Sequence, residues 1–235
     1  MRLNKYIAHC GIDSRRKTAE FVKQGLVTVN GEVVDHPAYL VKETDVVRFR
    51  GEILKPEVKK VYILMNKPKN TITSLNDEKG RKTVMDIVKN KVEERIYPVG
   101  RLDYLTTGLL LLTNDGDLTK KLSHPSHNVP KVYQVTLDRE LTKRDFNQIE
   151  KGFELKDGMV RVDWIRQIEG EGDYVYNLEI HMGKNRIVRR IFENFNYSVK
   201  RLDRIYYAGL TKKGLTRGWY RHLTEREIIM LKHFT

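Results

Sequence analysis

The sequence predicts an α+β protein in two parts: a small unit of two helices followed by strands, then a larger unit built on a mixed or antiparallel sheet. Three observations lead there. After residue 60, strand candidates come in runs with few helices between them, which is not the alternation of a doubly wound fold. The first 55 residues carry a hydrophobic pattern of their own. Between the two lies a polar, aperiodic run with a proline, residues 55–60 (KPEVKK). The boundaries read as 1–55, a linker at 56–60, and 61–235.

In the first part, Leu3, Tyr6, Ile7 and Cys10 recur at helical spacing and Gly11 stops the helix. Ser14 suits the N-cap of a second helix, with Ala19, Phe21 and Val22 partly inward and Gly25 as its end. Residues 26–29 form a strand. Asn30-Gly31 is a type I′ hairpin signal, because both positions of that turn need positive φ. Val33 and Val34 lie on the return strand, and residues 45–49 form another.

In the second part, a strand begins at residues 61–65. Further strands are expected at 97–99, 109–113, 132–137, 160–168, 174–180 and 204–207. Helices are expected at 117–122, 143–150, 186–195 and 225–233. Thr224 and Glu227 form a capping box for the last helix.

Composition narrows the function. The 235 residues carry a formal net charge of +13, with 32% charged residues. Residues 181–235 hold 13 Lys and Arg against 4 Asp and Glu, so the C-terminal quarter carries most of the positive field. That balance favours a polyanionic partner. A single cysteine, Cys10, excludes an internal disulfide and a multi-cysteine zinc site. The seven histidines show no HExxH or paired metal spacing. Nothing at the N-terminus looks like a signal peptide, and no apolar run approaches the ~18 residues that span a bilayer. The expectation is a soluble, cytoplasmic monomer with no membrane or metal partner.

Residues 100–116, GRLDYLTTGLLLLTNDG, are the most informative stretch. Arg101 and Asp103 fall in a loop, followed by an uninterrupted apolar run, 109–112, and an Asn-Asp-Gly turn. Such a run is a strand buried on both faces. An acid beside a rigid buried strand is well placed for chemistry. Loop aspartates also cap turns, and on pattern alone that role is the commoner one.

The stretch resembles the signature of the ribosomal RNA pseudouridine synthases of the RsuA/RluB group. Three more segments are similar to that family in the same order along the chain. They are Lys131-Val132-Tyr133; residues 183–205, GKNRIVRRIFENFNYSVKRLDRI; and the first 55 residues, which resemble an alpha-L RNA-binding domain. The segments HPSHNVPKVYQVTL and GLTRGWY look most like the B-type enzymes that act on large-subunit RNA.

The resemblance implies a pseudouridine synthase domain behind an RNA-binding domain, ribosomal RNA as substrate and no cofactor. It implies that Asp103 is the essential aspartate, that Tyr133 stacks on the target base, that Arg189 pairs with Asp103, and that Leu202 lines the pocket. Arg101, Lys131, Arg186 and Arg190 are expected to bind substrate around it, along with Lys184, Lys200, Arg201 and Arg204. Arg15, Arg16 and Lys17 open the second helix, where N–H groups and basic side chains make a phosphate site. Lys67-Pro68 also matches a family segment and is given a structural role. Ile187 departs from the family's usual Gln, and Asn196 from a common Gly, a mild change because Asn tolerates left-handed backbone.

Other readings have to meet the same residues. A non-catalytic RNA-binding or ribosome-assembly protein fits the charge but leaves Asp103, Tyr133 and Arg189 in family order unexplained. A methyltransferase would need a glycine-rich nucleotide loop, and no GxGxxG segment is present. A small-subunit RNA target is the nearest alternative to the large subunit.

Overall fold

A computed structural model describes residues 1–56, 59–89, 91–172 and 174–233. Glu57 and Val58 of the expected linker lie outside these residues. The chain divides into two compact units, Met1–Lys60 and Val61–Thr235.

The first unit is two helices, α1 (Leu3–His9) and α2 (Arg15–Lys23), followed by four short strands. These are β1 (Val27–Val29), β2 (Glu32–Val33), β3 (Val47–Phe49) and β4 (Glu52–Ile53), arranged β2-β1-β3-β4. The Ser14 side chain accepts the Lys17 amide at 3.2 Å and starts α2. Asn30 and Gly31 both have positive φ, 54° and 92°, as the hairpin between β1 and β2 requires. Leu3, Ile7, Val22, Val27 and Val47 close a core private to this unit.

The second unit runs β5 (Tyr62–Lys67), α3 (Val84–Val88), β6 (Tyr97–Pro98), β7 (Thr107–Thr113) and α4 (Gly116–Ser123), then β8 (Lys131–Leu137) and α5 (Lys143–Lys151). It continues with β9 (Phe153–Leu155), β10 (Gly158–Val160), β11 (Trp164–Gln167), β12 (Val175–Ile180), α6 (Ile187–Glu193), β13 (Val199–Tyr207), β14 (Leu210–Thr211), β15 (Tyr220–His222) and α7 (Glu225–His233). The main sheet is ordered β11-β12-β8-β13-β7-β5-β15, with β14 on β13 and β6 on β7. Its central joint, β13 on β7, is parallel, and the pairs on either side are antiparallel. The fold is therefore α+β with a mixed sheet.

β7 is buried along its whole length, and its side chains alternate between two cores. Leu110 and Leu112 join Ile63, Met65 and Val135 on one face; Leu109 and Leu111 join Tyr62, Leu64 and Tyr207 on the other. Each buried leucine contributes roughly 1.5–3 kcal/mol. Gly108 makes the joint possible: its φ is 105°, and a Cβ there would overlap the Arg204 backbone. The Thr107 hydroxyl beside it donates to the Leu202 carbonyl and the Asp203 carboxylate at 3.2 and 2.9 Å.

Three expectations need correction. The single strand at 160–168 is two. Val160 pairs with Phe153 in a separate ribbon, and Trp164 then pairs with Glu179 in the main sheet. The helix at 186–195 is shorter, because Arg186 adopts a left-handed conformation (φ 48°) and stands outside it as the N-cap. The strand at 204–207 begins at Val199, since Val199 and polar Arg201 pair with Leu137 and Thr136 of β8 around an irregularity at Lys200.

Candidate active site

Asp103 lies in the loop that leads into β7, and its backbone is held from three sides. The Thr73 hydroxyl donates to the Leu102 carbonyl at 2.8 Å and accepts the Leu102 amide at 3.2 Å. The Thr106 amide donates to the Asp103 carbonyl at 3.0 Å, closing a tight turn over 103–106. Beneath it, the fully buried Lys67 ammonium donates to the carbonyls of Pro68, Asp103, Tyr104 and Thr106 at 3.1, 3.0, 3.5 and 2.7 Å. Burial pushes Lys67 down to about 8, against the attraction of Asp103. A buried cation thus gathers the backbone around Asp103, while the Asp103 side chain faces a cavity. Among the described residues, no hydrogen bond reaches that carboxylate. Its ion pair is with Arg186, at 4.0 Å.

The cavity has a volume of about 500 Å³. Asp103, Arg101, Tyr133, Lys131, Arg186 and Leu202 all line it, as do Lys184 and Arg204. Tyr133 and Leu202 sit on adjacent strands, β8 and β13, in the same core, so their placement follows from strand alternation. Arg204 is buried against the Tyr207 ring and donates from Nε to the Leu109 carbonyl at 2.7 Å. Ile187 is buried in the cavity wall, so the residue that replaces the expected Gln serves as packing.

Several expected substrate contacts are engaged otherwise. Lys131 turns its ammonium to the carbonyls of Val129 and His181, at 2.7 and 2.8 Å. Burial, reinforced by the Arg204 charge, pushes it down to about 8. The ion pair assigned to Arg189 belongs to Arg186. Arg189 is itself buried and donates to the Val199 carbonyl at 2.8 Å. Burial and the Arg186 charge lower its pKa, and the charge of Asp103 opposes them. Arg190, expected on a phosphate, is held by both oxygens of Asp157. The left-handed Arg186 explains the exchange, because it turns that side chain out of the helical register that the sequence suggests.

Lys200 and Arg201 line a second cavity of about 750 Å³, beside Gln134 and Asp203. These are strand neighbours of Tyr133 and Arg204, so they point to the opposite face. That cavity is larger, but its carboxylates are engaged. Asp203 accepts from Thr107, Lys212 and Arg217, and although burial raises its pKa these bonds prevail and hold it low. Asp138 accepts the Ser198 backbone amide at 2.9 Å, and Glu171 accepts from Nε2 of the Gln134 side chain at 3.2 Å. The smaller cavity differs in setting beside an aromatic wall a carboxylate, Asp103, that no hydrogen bond reaches among the described residues. In the other unit, Ser14 caps the helix that Arg15, Arg16 and Lys17 open, and Lys17 is paired with Glu20 at 2.7 Å.

Asp163, Glu179 and His181 bring their ligand atoms within 4.8 Å of one another, the one such grouping among the described residues. His181 Nδ1 is already 2.7 Å from Asp163, and the Lys131 charge acts on the same carboxylate, so the group reads as a charge cluster.

A family model described as RNA pseudouridylate synthase matches residues 61–194, more than half of the chain and the whole of this cavity up to α6. The chain belongs to that family. Ahead of the synthase domain, the model of the S4 domain matches residues 1–47. The ribosomal large subunit pseudouridine synthase B of Bacillus subtilis (strain 168) is 40% identical over 234 residues, covering 98% of this chain and 95% of that protein. The dual-specificity RNA pseudouridine synthase RluF of Escherichia coli (strain K12) is 33% identical, covering 98% of this chain and 78% of that protein. A crystal structure of a pseudouridylate synthase superposes with a TM-score of 0.69 at 29% identity, covering 98% of this synthase and 99% of the other chain. No helix among the described residues of the synthase is long and apolar enough to cross a membrane.

Lys67 is the residue whose weight sequence reasoning missed. Its signal was a lysine ending a mostly apolar strand, YILMNK, where a charge buried at 0% exposure must be held by many acceptors.

Proposed function

We propose that this synthase isomerises uridine to pseudouridine in 23S ribosomal RNA, with Asp103 as the reacting carboxylate. The observation that carries the reading is an Asp103 carboxylate that no hydrogen bond reaches among the described residues, facing a cavity walled by Tyr133 and Leu202. The reaction breaks the N1–C1′ bond, turns the base, and forms C5–C1′, while the C5 proton leaves and N1 gains one. No group enters or departs overall, so the stoichiometry calls for no cofactor. A carboxylate serves such a step as a nucleophile, as a stabiliser of a cationic sugar, or as the base for the departing proton.

The remaining roles follow from position. Tyr133 offers its ring to the extruded uracil, with stacking worth ~1–3 kcal/mol per base. Arg186 pairs with the Asp103 carboxylate and holds its orientation. Arg189, buried behind it, adds positive potential without a direct bond. Arg101, exposed beside the cavity, is a phosphate contact, and Leu202 excludes water; the Lys184 ammonium is held by Asp157, donating to its carbonyl at 2.7 Å. Large-subunit RNA is favoured because the Bacillus subtilis relative, which matches over nearly the full length of both chains, is a large-subunit enzyme. We place the protein in the cytoplasm as a monomer.

The test is pseudouridine mapping of 23S and 16S transcripts treated with purified protein, alongside ribosomal RNA from cells lacking the gene. One 23S uridine should be converted in vitro and remain unmodified in the deletion strain. Conversion in 16S alone would move the target to the small subunit.

A further inference from the structure

The turn that carries Asp103 also carries two large side chains that the chemistry does not use. Tyr104 and Leu105 occupy its two central positions, and they are 43% and 49% exposed. A mobile tip would make that exposure incidental, but this tip is fixed. The Tyr104 carbonyl accepts the Asn70 amide at 3.0 Å as well as the Lys67 ammonium, and the Thr106 amide closes the turn on Asp103. Apolar surface held rigid between two residues that line a cavity, Asp103 and Thr106, is a contact surface. Its surroundings are basic: Lys69 is next to Asn70, and Arg101 is two residues before Asp103.

We propose that Tyr104 stacks on the base next to the uridine held at Asp103, with Leu105 as an apolar wedge in the gap the uridine leaves. Extruding a base breaks its stacking on both neighbours, and an inserted side chain restores part of that loss. The Cα of Tyr104 is ~3.8 Å from that of Asp103, so the ring reaches only nucleotides adjoining the target. A phenol ring stacks on any base, and its hydroxyl can favour one edge, so this turn also contributes to the choice of sequence around the uridine. The inference rests on Asp103 marking where the target uridine sits.

The test is a cycle of binding measurements on synthetic stem–loop RNAs with one loop uridine, carrying an abasic residue on its 5′ side, on its 3′ side, or on neither. Wild-type protein should bind the complete RNA about 5- to 150-fold more tightly than one of the two abasic forms, the range expected for one stacked base. Tyr104→Ala should lose that discrimination, Tyr104→Trp should keep it, and both should melt like the wild type because the side chain is exposed. Equal binding of all three RNAs by the wild type, or unchanged discrimination by Tyr104→Ala, overturns the proposal. Discrimination that depends on Tyr104 in a protein that forms no pseudouridine in ribosomal RNA would keep the base contact and refute the isomerase reading instead.

Discussion

Lys67 and Arg186 divide the support of Asp103 between backbone and side chain, and their loss should look different. Lys67→Met removes the donor from four carbonyls at nearly constant volume. Leaving buried acceptors unpaired costs about 1–3 kcal/mol each, part of which relaxation recovers, so denaturant titration should show a loss of at least that size. The pH dependence carries its own sign. Burial pushes Lys67 down to about 8, against ~10.4 for a free lysine. Between those values the unfolded chain holds a proton that the folded chain has released, so stability rises with pH across that window. Lys67→Met should flatten the rise; Lys131, also pushed down to about 8, supplies what remains. Arg186 is half exposed, and its pair with Asp103 is long and screened, so Arg186→Ala should leave the melting temperature within error. It should lower the single-turnover rate at saturating RNA. Arg189→Ala should instead lower the melting temperature, because it empties a buried site and strands the Val199 carbonyl.

At the level of elements, the sheet depends on one glycine. Gly108→Ala would need a strained φ and would drive a methyl into the backbone of β13, so it should destabilise the protein by about 3 kcal/mol or more, measured by chemical denaturation. Strands with local signals were legible in the sequence. The 109–112 leucine run is a strand buried on both faces, Asn30-Gly31 makes the expected turn, and Thr224 with Glu227 forms the expected capping box. What escaped was set by partners outside the segment itself. Alternation alone joins 160–168 into one strand, and only pairing with Phe153 on one side and Glu179 on the other divides it. Periodicity likewise extends α6 over Arg186, because nothing local announces a left-handed arginine. Asp103, Tyr133 and Leu202, which line the cavity, were legible through family resemblance, and Arg186 through the basic run around it; Arg189, which the resemblance set on Asp103, does not line the cavity. The Arg186 pairing and the Arg190–Asp157 clamp were not legible, since Asp157 sits 33 residues away on the turn between β9 and β10.

Across the whole molecule, each of the two units has a core of its own, which predicts separable functions. Removing residues 1–60 should leave a fragment that still unfolds cooperatively, because the two cores of the synthase domain lie within 61–235. Its affinity for ribosomal RNA should fall. The log–log salt slope should shrink by roughly one to two units, about 0.7–0.9 for each phosphate held by Arg15 and Arg16, with Lys17 already engaged by Glu20. The basic C-terminal quarter remains in the fragment, so binding should weaken without vanishing.

The central claim is that the Asp103 carboxylate performs the chemistry in a cavity that other residues build. Asp103→Asn keeps the shape of the side chain and removes its charge. Assayed under single-turnover conditions on the wild-type ribosomal RNA substrate, it should form no pseudouridine, with RNA affinity and melting temperature close to wild type. Turnover by Asp103→Asn within tenfold of the wild type would contradict the account and place the reacting group elsewhere.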